Sequence, residues 1–289
     1  MSEVKISYHG GHSGQFCDHA DKCTLEQVVN TYIEKGYKHF GVSEHQPCPE
    51  GFLYDDQIQA GLDTEKIFER FSQYVSEAKR LQSTCPKDVQ MLVGFETERC
   101  NDEAYSLIET LRAQYKVDYI VGSVHHVEGI PFDTSRDYFS KAVVELGSLD
   151  KVYRAYYEHQ FELIQSCKPE VIGHFDLVRI YTENEKVSSR IVEIQERNIQ
   201  AVVDYGGVFE VNSRALRKGL SDVYPKTEVL RMIKEAGGQI TLGDDSHGHT
   251  QIGEFAERVC EQLSKDFSNL IAFNKTQSGL EKIEYPLLG

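Results

Sequence analysis

"VKISYHGGHSGQFCDHA", residues 4–20, opens as a short strand-like run and closes with three histidines, His9, His12 and His19, set among glycines and small polar residues. The same grammar recurs along the chain. After the first run, "VKISYH" (4–9), come "HFGVSEH" (39–45), "VQMLVGFETE" (89–98), "YIVGSVHH" (119–126), "VIGHFD" (171–176), "GVFEVNS" (207–213) and "QITLGDDSH" (239–247). Each is a β-branched or apolar run that finishes on polar side chains, so seven strands are predicted.

Segments of helical period lie between them. "TLEQVVNTYIEKG" (24–36) carries a threonine N-cap at Thr24 and a glycine stop at Gly36, and "KTEVLRMIKEAGG" (226–238) closes on Gly237 and Gly238. Further helices are expected over 64–83, 102–115, 151–166, 186–204 and 253–264. Strand and helix in alternation predict a parallel sheet with helices outside it, either open or closed into a barrel. An open sheet concentrates function at one crevice, whereas the strand ends of a barrel all meet at one mouth. Here ligand-type residues fall at every strand end: His9; Glu44 and His45; Glu96 and Glu98; His125 and His126; His174 and Asp176; Asn212; Asp245 and His247. That distribution favours an α/β barrel, distorted by having seven strands.

The 289 residues, 40% hydrophobic and 27% charged, contain no repeat or linker, so one domain over 1–289 is expected. No apolar run reaches the roughly 18 residues of a membrane span, and the first residues lack an apolar signal region, which predicts a cytoplasmic protein. Seven irregularly spaced cysteines fit reduced thiols. Cys17 lies inside the histidine cluster but reads as a packed small hydrophobe rather than a metal thiolate. A formal net charge of -15 disfavours nucleic-acid partners and leaves a small-molecule substrate.

Neutral imidazole and carboxylate are ligands for zinc, manganese and iron. Of eleven histidines, seven (His9, His12, His19, His45, His125, His174 and His247) stand at or just past a strand end, and with Glu96 and Asp245 they predict a multinuclear metal site. Asp245 and His247, two apart, would share one face of an extended segment. His9 and His12, three apart, need a turn or bulge at Gly10 and Gly11 to converge.

The motifs "HGGHSGQFCDHA", "VSEH", "VGFETE", "GSVHH", "IGHFD" and "GDDSH", in that order over nearly the whole chain, resemble those of the PHP (polymerase and histidinol phosphatase) metal-dependent phosphoesterases. Together with "GHFDLVR" and "EVNSRALRKGLSDVYP", they look most similar to the bacterial histidinol-phosphate phosphatases of that family. The resemblance implies a distorted (β/α)7 barrel with two or three divalent metals (Zn, Mn or Fe) at its C-terminal mouth. It implies His9, His12 and Asp245 at one metal, bridging Glu96 with His125 and His174 at a second, and His19, His45 and His247 at a third. The first motif departs from the family's usual HxH in being HxxH. His126 and Glu98 are expected to point away from the metals or to support the ligands.

The chemistry implied is hydrolysis of L-histidinol phosphate, in histidine biosynthesis, by in-line attack of a metal-bound hydroxide, with Asp245, Glu96 and Asp176 as catalytic groups. Phosphate favours the guanidinium fork, and Arg179 and Arg217, just past strand ends, are the expected phosphate-binding residues, with Arg214 and Lys218 as substitutes. Asp176 would orient a ligand or protonate the leaving oxygen. "EGFLYDDQ" (50–57) reads as a solvated loop, with a pocket wall as the alternative. Competing readings are another small phosphate ester or nucleotide as substrate, a nuclease, and a metal-binding module without catalysis.

Overall fold

Seven strands pair in parallel in the computed structural model of the chain, which describes residues 5–101 and 103–287. They are β1 (Ile6–Ser7), β2 (His39–His45), β3 (Gln90–Glu96), β4 (Tyr119–Gly122), β5 (Val171–Ile172), β6 (Val208–Asn212) and β7 (Gln239–Gly243). Their order in the sheet is their order in the chain. The two edges then meet: Tyr8 N donates to Leu242 O (2.9 Å) and Asp245 N to His9 O (2.8 Å). The sheet is therefore a nearly closed (β/α)7 barrel, with all seven C-terminal strand ends at one mouth. The expected strand start at Val4 and helix start at Asp102 lie outside the described residues.

Most strands stop short of their predicted ends. β4 ends at Gly122 rather than residue 126, β5 at Ile172 rather than 176, and β7 at Gly243 rather than 247. The residues lost from the ladder are the chemically active ones. Backbone that keeps pairing holds its side chains perpendicular to the sheet, and bringing several of them to one point requires leaving the ladder. Asp245 does so with a left-handed φ of 46°, so Asp245 and His247 converge through a turn and not through strand alternation. Gly10 (φ 137°) and Gly11 (φ 78°) supply the predicted turn between His9 and His12, in conformations few other residues adopt.

The outer layer follows from helical periodicity. Thr64–Thr84 buries Ile67, Phe71, Tyr74, Val75, Ala78 and Leu81, one stripe of a 3.6-residue repeat. Thr24 and Gln27 form a capping box at the head of Leu25–Glu34, as the sequence suggested. Several elements went unread, two of them large. A helix at Arg136–Leu146, capped by Ser135 and stopped at Gly147, fills the connection after β4. A hairpin, β8 (Asn269–Thr276) and β9 (Gly279–Pro286), crosses the barrel end opposite the mouth. It touches the first residues of three strands: Lys275 N donates to Gln90 Oε1, Lys282 Nζ to Gln239 Oε1, and the Tyr285 ring meets His39. No helix among the described residues is long and apolar enough to cross a membrane.

Tyr8 ties this plug to the barrel, because its hydroxyl accepts from Phe273 N (2.7 Å) and its ring meets Phe273 edge-on at 4.9 Å. Tyr8→Phe keeps the packing but strands a buried N–H, at a cost of roughly 1–3 kcal/mol. Denaturant unfolding should show that loss; stability equal to wild type would contradict this role for the hydroxyl.

Candidate metal centre

Glu96, the last residue of β3, is 1% exposed and surrounded by imidazoles. Its Oε1 lies 3.1 Å from His9 Nε2, 3.0 Å from His174 Nε2 and 3.3 Å from His125 Nε2, and the last two nitrogens are 3.3 Å apart. Nitrogen and oxygen ligands at roughly 2.0–2.1 Å from a tetrahedral zinc are separated by about 3.3–3.4 Å. His9, Glu96 and His174 offer ligand atoms that all lie within 4.8 Å of one another, close enough to hold one ion, with His125 against the same carboxylate oxygen. Burial works to raise the Glu96 carboxyl, but His9 and His125 beside it hold it well below the usual carboxylate range, so it is an anion.

Three ring nitrogens on the far side of this cluster lie against carboxylates. Glu210 Oε1 is 3.0 Å from His9 Nδ1, Glu44 Oε1 is 2.9 Å from His12 Nδ1, and Glu98 Oε2 is 3.1 Å from His125 Nδ1. At His12 and His125, where the contact is a hydrogen bond, a proton held on Nδ1 leaves Nε2 as the free donor atom, the form in which imidazole binds metal. His12 Nε2 is buried without a hydrogen bond, 3.9 Å from both Glu96 Oε2 and Asp245 Oδ1. Glu98 also reaches His45 Nδ1 (2.9 Å) and accepts from Tyr54 OH (2.8 Å), so it steadies two histidines. His126 is buried beside it, 3.9 Å from Glu98 Oε2 and away from Glu96.

Glu210 was not singled out in the sequence. It lies within β6, where its Oε2 accepts from His174 N (2.7 Å) while its Oε1 accepts from Asn212 Nδ2 (2.9 Å). A Cβ on Gly243 would come 1.8 Å from Glu210 Oε1, so the neighbouring strand must be bare there. The available signal was parity: Glu210 and Asn212 share one face of an otherwise apolar strand.

A second group stands toward the open end. His12 stacks between His45 (ring centroids 4.4 Å) and His247 (4.2 Å), and His19 Nε2 is 3.3 Å from His45 Nε2. Burial and the nearby cation Arg214 push His247 well below its ordinary pKa, which keeps its imidazole neutral. Cys17 is buried, as its reading as a packed side chain expects, and it stands beside this group. Its sulfur and one ring nitrogen each from His12, His45 and His247 lie within 4.8 Å of one another.

Beside these clusters opens a cleft of about 430 Å³, lined by His19, His45, Glu96, His125, His174 and Asp245, and beyond them by Tyr54, Asp55, Asp56, Asp133, Arg214, Lys218 and Tyr224. Segment 50–57 thus forms a wall of the cleft, through Tyr54, Asp55 and Asp56. The expected arginines are elsewhere. Arg179 gives its guanidinium to the carbonyls of Glu183 (3.2 Å) and Glu185 (2.9 Å). Arg217 is held by Glu254 Oε2 (2.6 Å) and the carbonyls of Asp244 and Asp245, behind the β7 turn. Neither lines the cleft. Arg214 does, with Nη1 2.7 Å from Asp245 Oδ1 and 2.8 Å from His247 Nδ1. Asp176 also lies off the cleft wall, fully buried with Oδ2 accepting from Lys226 N (3.0 Å).

The profile of the PHP domain family matches residues 9–214 of the chain. A probable histidinol-phosphatase of Schizosaccharomyces pombe is 40% identical over 257 residues, covering 86% of this chain and 83% of its own. Among solved structures, a putative histidinol phosphatase of Listeria monocytogenes superposes with a TM-score of 0.76 at 20% identity, over 88% of this chain and all of that one. The histidinol phosphate phosphatase of Lactococcus lactis, solved with zinc, L-histidinol and phosphate, superposes with a TM-score of 0.67 at 20% identity, over 96% of this chain and 99% of that one.

Burial pushes the Asp176 carboxyl up to about 6 from its ordinary 3.8. The folded state then binds this proton more tightly than the unfolded state, so its contribution to stability is full below about pH 4 and is lost as pH rises through 6. With metal chelated, Asp176→Asn should match wild type near pH 4 and exceed it by roughly 2–3 kcal/mol at pH 8. A stability difference that does not change with pH would contradict the buried, protonated reading.

Proposed function

The chain belongs to the PHP domain family, and from that premise we propose that it hydrolyses L-histidinol phosphate to L-histidinol and phosphate. The observation that carries the reading is the convergence of His9, His125 and His174 Nε2 on Glu96 beside a cleft that also holds Arg214 and Lys218. The relatives named as histidinol-phosphatases support the substrate, and the zinc, L-histidinol and phosphate of the Lactococcus protein fit the chemistry of this cleft.

In this reading His9, His12, His125, His174, Glu96 and Asp245 would hold two divalent ions, and His19, His45 and His247 a third, the ions being zinc, manganese or iron. Such ions lower the pKa of bound water to give hydroxide near neutral pH and neutralise the phosphoryl oxygens and the leaving alkoxide. The remaining work belongs to the chain. Glu210, Glu44 and Glu98 hold the imidazoles of His9, His12 and His125 with Nε2 facing inward. Arg214 and Lys218 receive phosphate oxygens, taking the role first expected of Arg179 and Arg217. Asp55, Asp56 and Asp133 face the substrate's ammonium and imidazole across the cleft. Asp176, sealed beneath the wall, positions the Lys226 backbone rather than donating a proton. Attack is direct and in line, with no phosphorylated residue.

Phosphate release from L-histidinol phosphate, by protein reconstituted with manganese or zinc, should exceed that from a panel of phosphomonoesters and a diester by roughly 10²-fold or more in kcat/KM. Comparable rates across the panel would discard the substrate. Arg214→Ala should lower kcat/KM by roughly 10²–10³, whereas Arg217→Ala should chiefly lower stability, by roughly 1–3 kcal/mol. The reverse pattern would return phosphate binding to Arg217. Trapping of a covalent phospho-enzyme during turnover would refute direct attack.

A further inference from the structure

The turn that follows His12 is held firmly on both sides. Cys17 N donates to Ser13 O (2.8 Å), Gly14 N to Asp21 O (3.0 Å), and Asp21 N to His247 O (2.7 Å), which ties the turn to the residues beyond β7. This places the Cys17 side chain, 5% exposed, against imidazoles. The Cys17 sulfur and one nitrogen each of His12, His45 and His247 all lie within 4.8 Å of one another. In a tetrahedral site with metal–sulfur bonds of roughly 2.3 Å and metal–nitrogen bonds of roughly 2.0–2.1 Å, such atoms stand about 3.3–3.6 Å apart. Inward shifts on the order of 1 Å close that difference.

Cys17 shares a small cavity with Phe16, Ile67, Phe71 and Tyr74, yet three ring nitrogens also stand within 4.8 Å of its sulfur. One of those partners carries an independent mark of a ligand. His12 gives Nδ1 to Glu44, leaving Nε2 buried with no hydrogen bond. His19 is outside the set of four: its Nδ1 is 3.1 Å from Asp56 Oδ2, and its side chain is 38% exposed.

We propose that Cys17 is a thiolate ligand, joining His12, His45 and His247 around the outer metal position, so that His12 Nε2 serves the outer ion instead of the inner pair, with His19 beside the set rather than essential to it. The proposal rests on the metal-centre reading above and changes its chemistry. On binding, the S–H bond gives its proton to solvent, the sulfur lone pair enters the metal–sulfur bond, and no electron is lost. Glu96 and its imidazoles form a nitrogen and oxygen site, while the outer position gains one soft donor. Thiolate favours zinc, cobalt(II) and iron(II) over manganese and magnesium, so the two ends of the cluster would differ in the metals they retain.

The test is full-length protein loaded with cobalt(II), examined by absorption spectroscopy with bound metal counted in the same sample. The expected result is a near-ultraviolet sulfur-to-cobalt charge-transfer band in wild type that is absent from both Cys17→Ser and Cys17→Ala. Variants whose circular dichroism matches wild type should also release zinc to a chelator more readily, by about tenfold or more. Cobalt bound at two or more equivalents without the band, or a band that survives in both variants, would overturn the role of Cys17 and leave the metal centre standing. Failure of the wild type to take up cobalt at all would overturn the metal-centre reading itself, and the Cys17 proposal with it.

Discussion

Glu96 is a charge in a place where charge is expensive. A carboxylate at 1% exposure in the middle of a barrel mouth loses its hydration and must be compensated by neighbours at contact distance. Three Nε2 atoms between 3.0 and 3.3 Å from one of its oxygens provide that compensation, and they arrive from β1, β4 and β5 respectively. Each histidine is in turn oriented from behind, two by carboxylates and one through its backbone: Glu210 at His9, Glu98 at His125, and Glu210 again at the His174 amide. The interior is therefore an alternation of negative and imidazole layers, and removing one member leaves its partners buried and unbalanced. Divalent ions would complete this arrangement, since carboxylate and neutral imidazole are both their ligands.

The barrel exists to make that convergence possible. Side chains on consecutive parallel strands stand side by side, but only closure brings the first strand to the last, through Tyr8 with Leu242 and His9 with Asp245. Early termination of β4, β5 and β7 then frees the following residues to turn inward. Gly10, Gly11 and the left-handed Asp245 mark where the chain leaves regular geometry, and all three lie at the mouth. The opposite end is closed by an ordinary hairpin. The electrostatics are similarly local. The chain is acidic as a whole, yet Arg214 and Lys218 put positive charge into the one cleft where phosphate would lie.

The sequence made the barrel legible because seven strands shared one signature, an apolar run ending in ligand-type residues, and because Thr24, Gly36 and Gly237 punctuated helices at the right places. The inner histidines were legible for the same reason. What it concealed was direction. Arg214, Arg217 and Arg179 all follow strand ends, and nothing in their spacing shows that a single short turn aims Arg214 into the cleft and sends Arg217 to Glu254. Glu210 was hidden because its one local sign is its parity with Asn212, while the groups it supports, His9 and His174, are distant in the chain. Cys17 is buried as its composition suggested, but its nearness to three imidazoles depends on tertiary placement and has no local signal. The hairpin after residue 268 stayed hidden because its strands lack the ligand-type ends that marked the other seven.

The most direct measurement is anomalous diffraction from crystals grown with zinc. The account predicts strong peaks within roughly 2.0–2.3 Å of His9, His125 and His174 Nε2 and of a Glu96 oxygen, with a further peak among His12, His45 and His247. Zinc bound only at the surface, with the Glu96 cluster free of anomalous density, would contradict the claim that this mouth is built to hold metal.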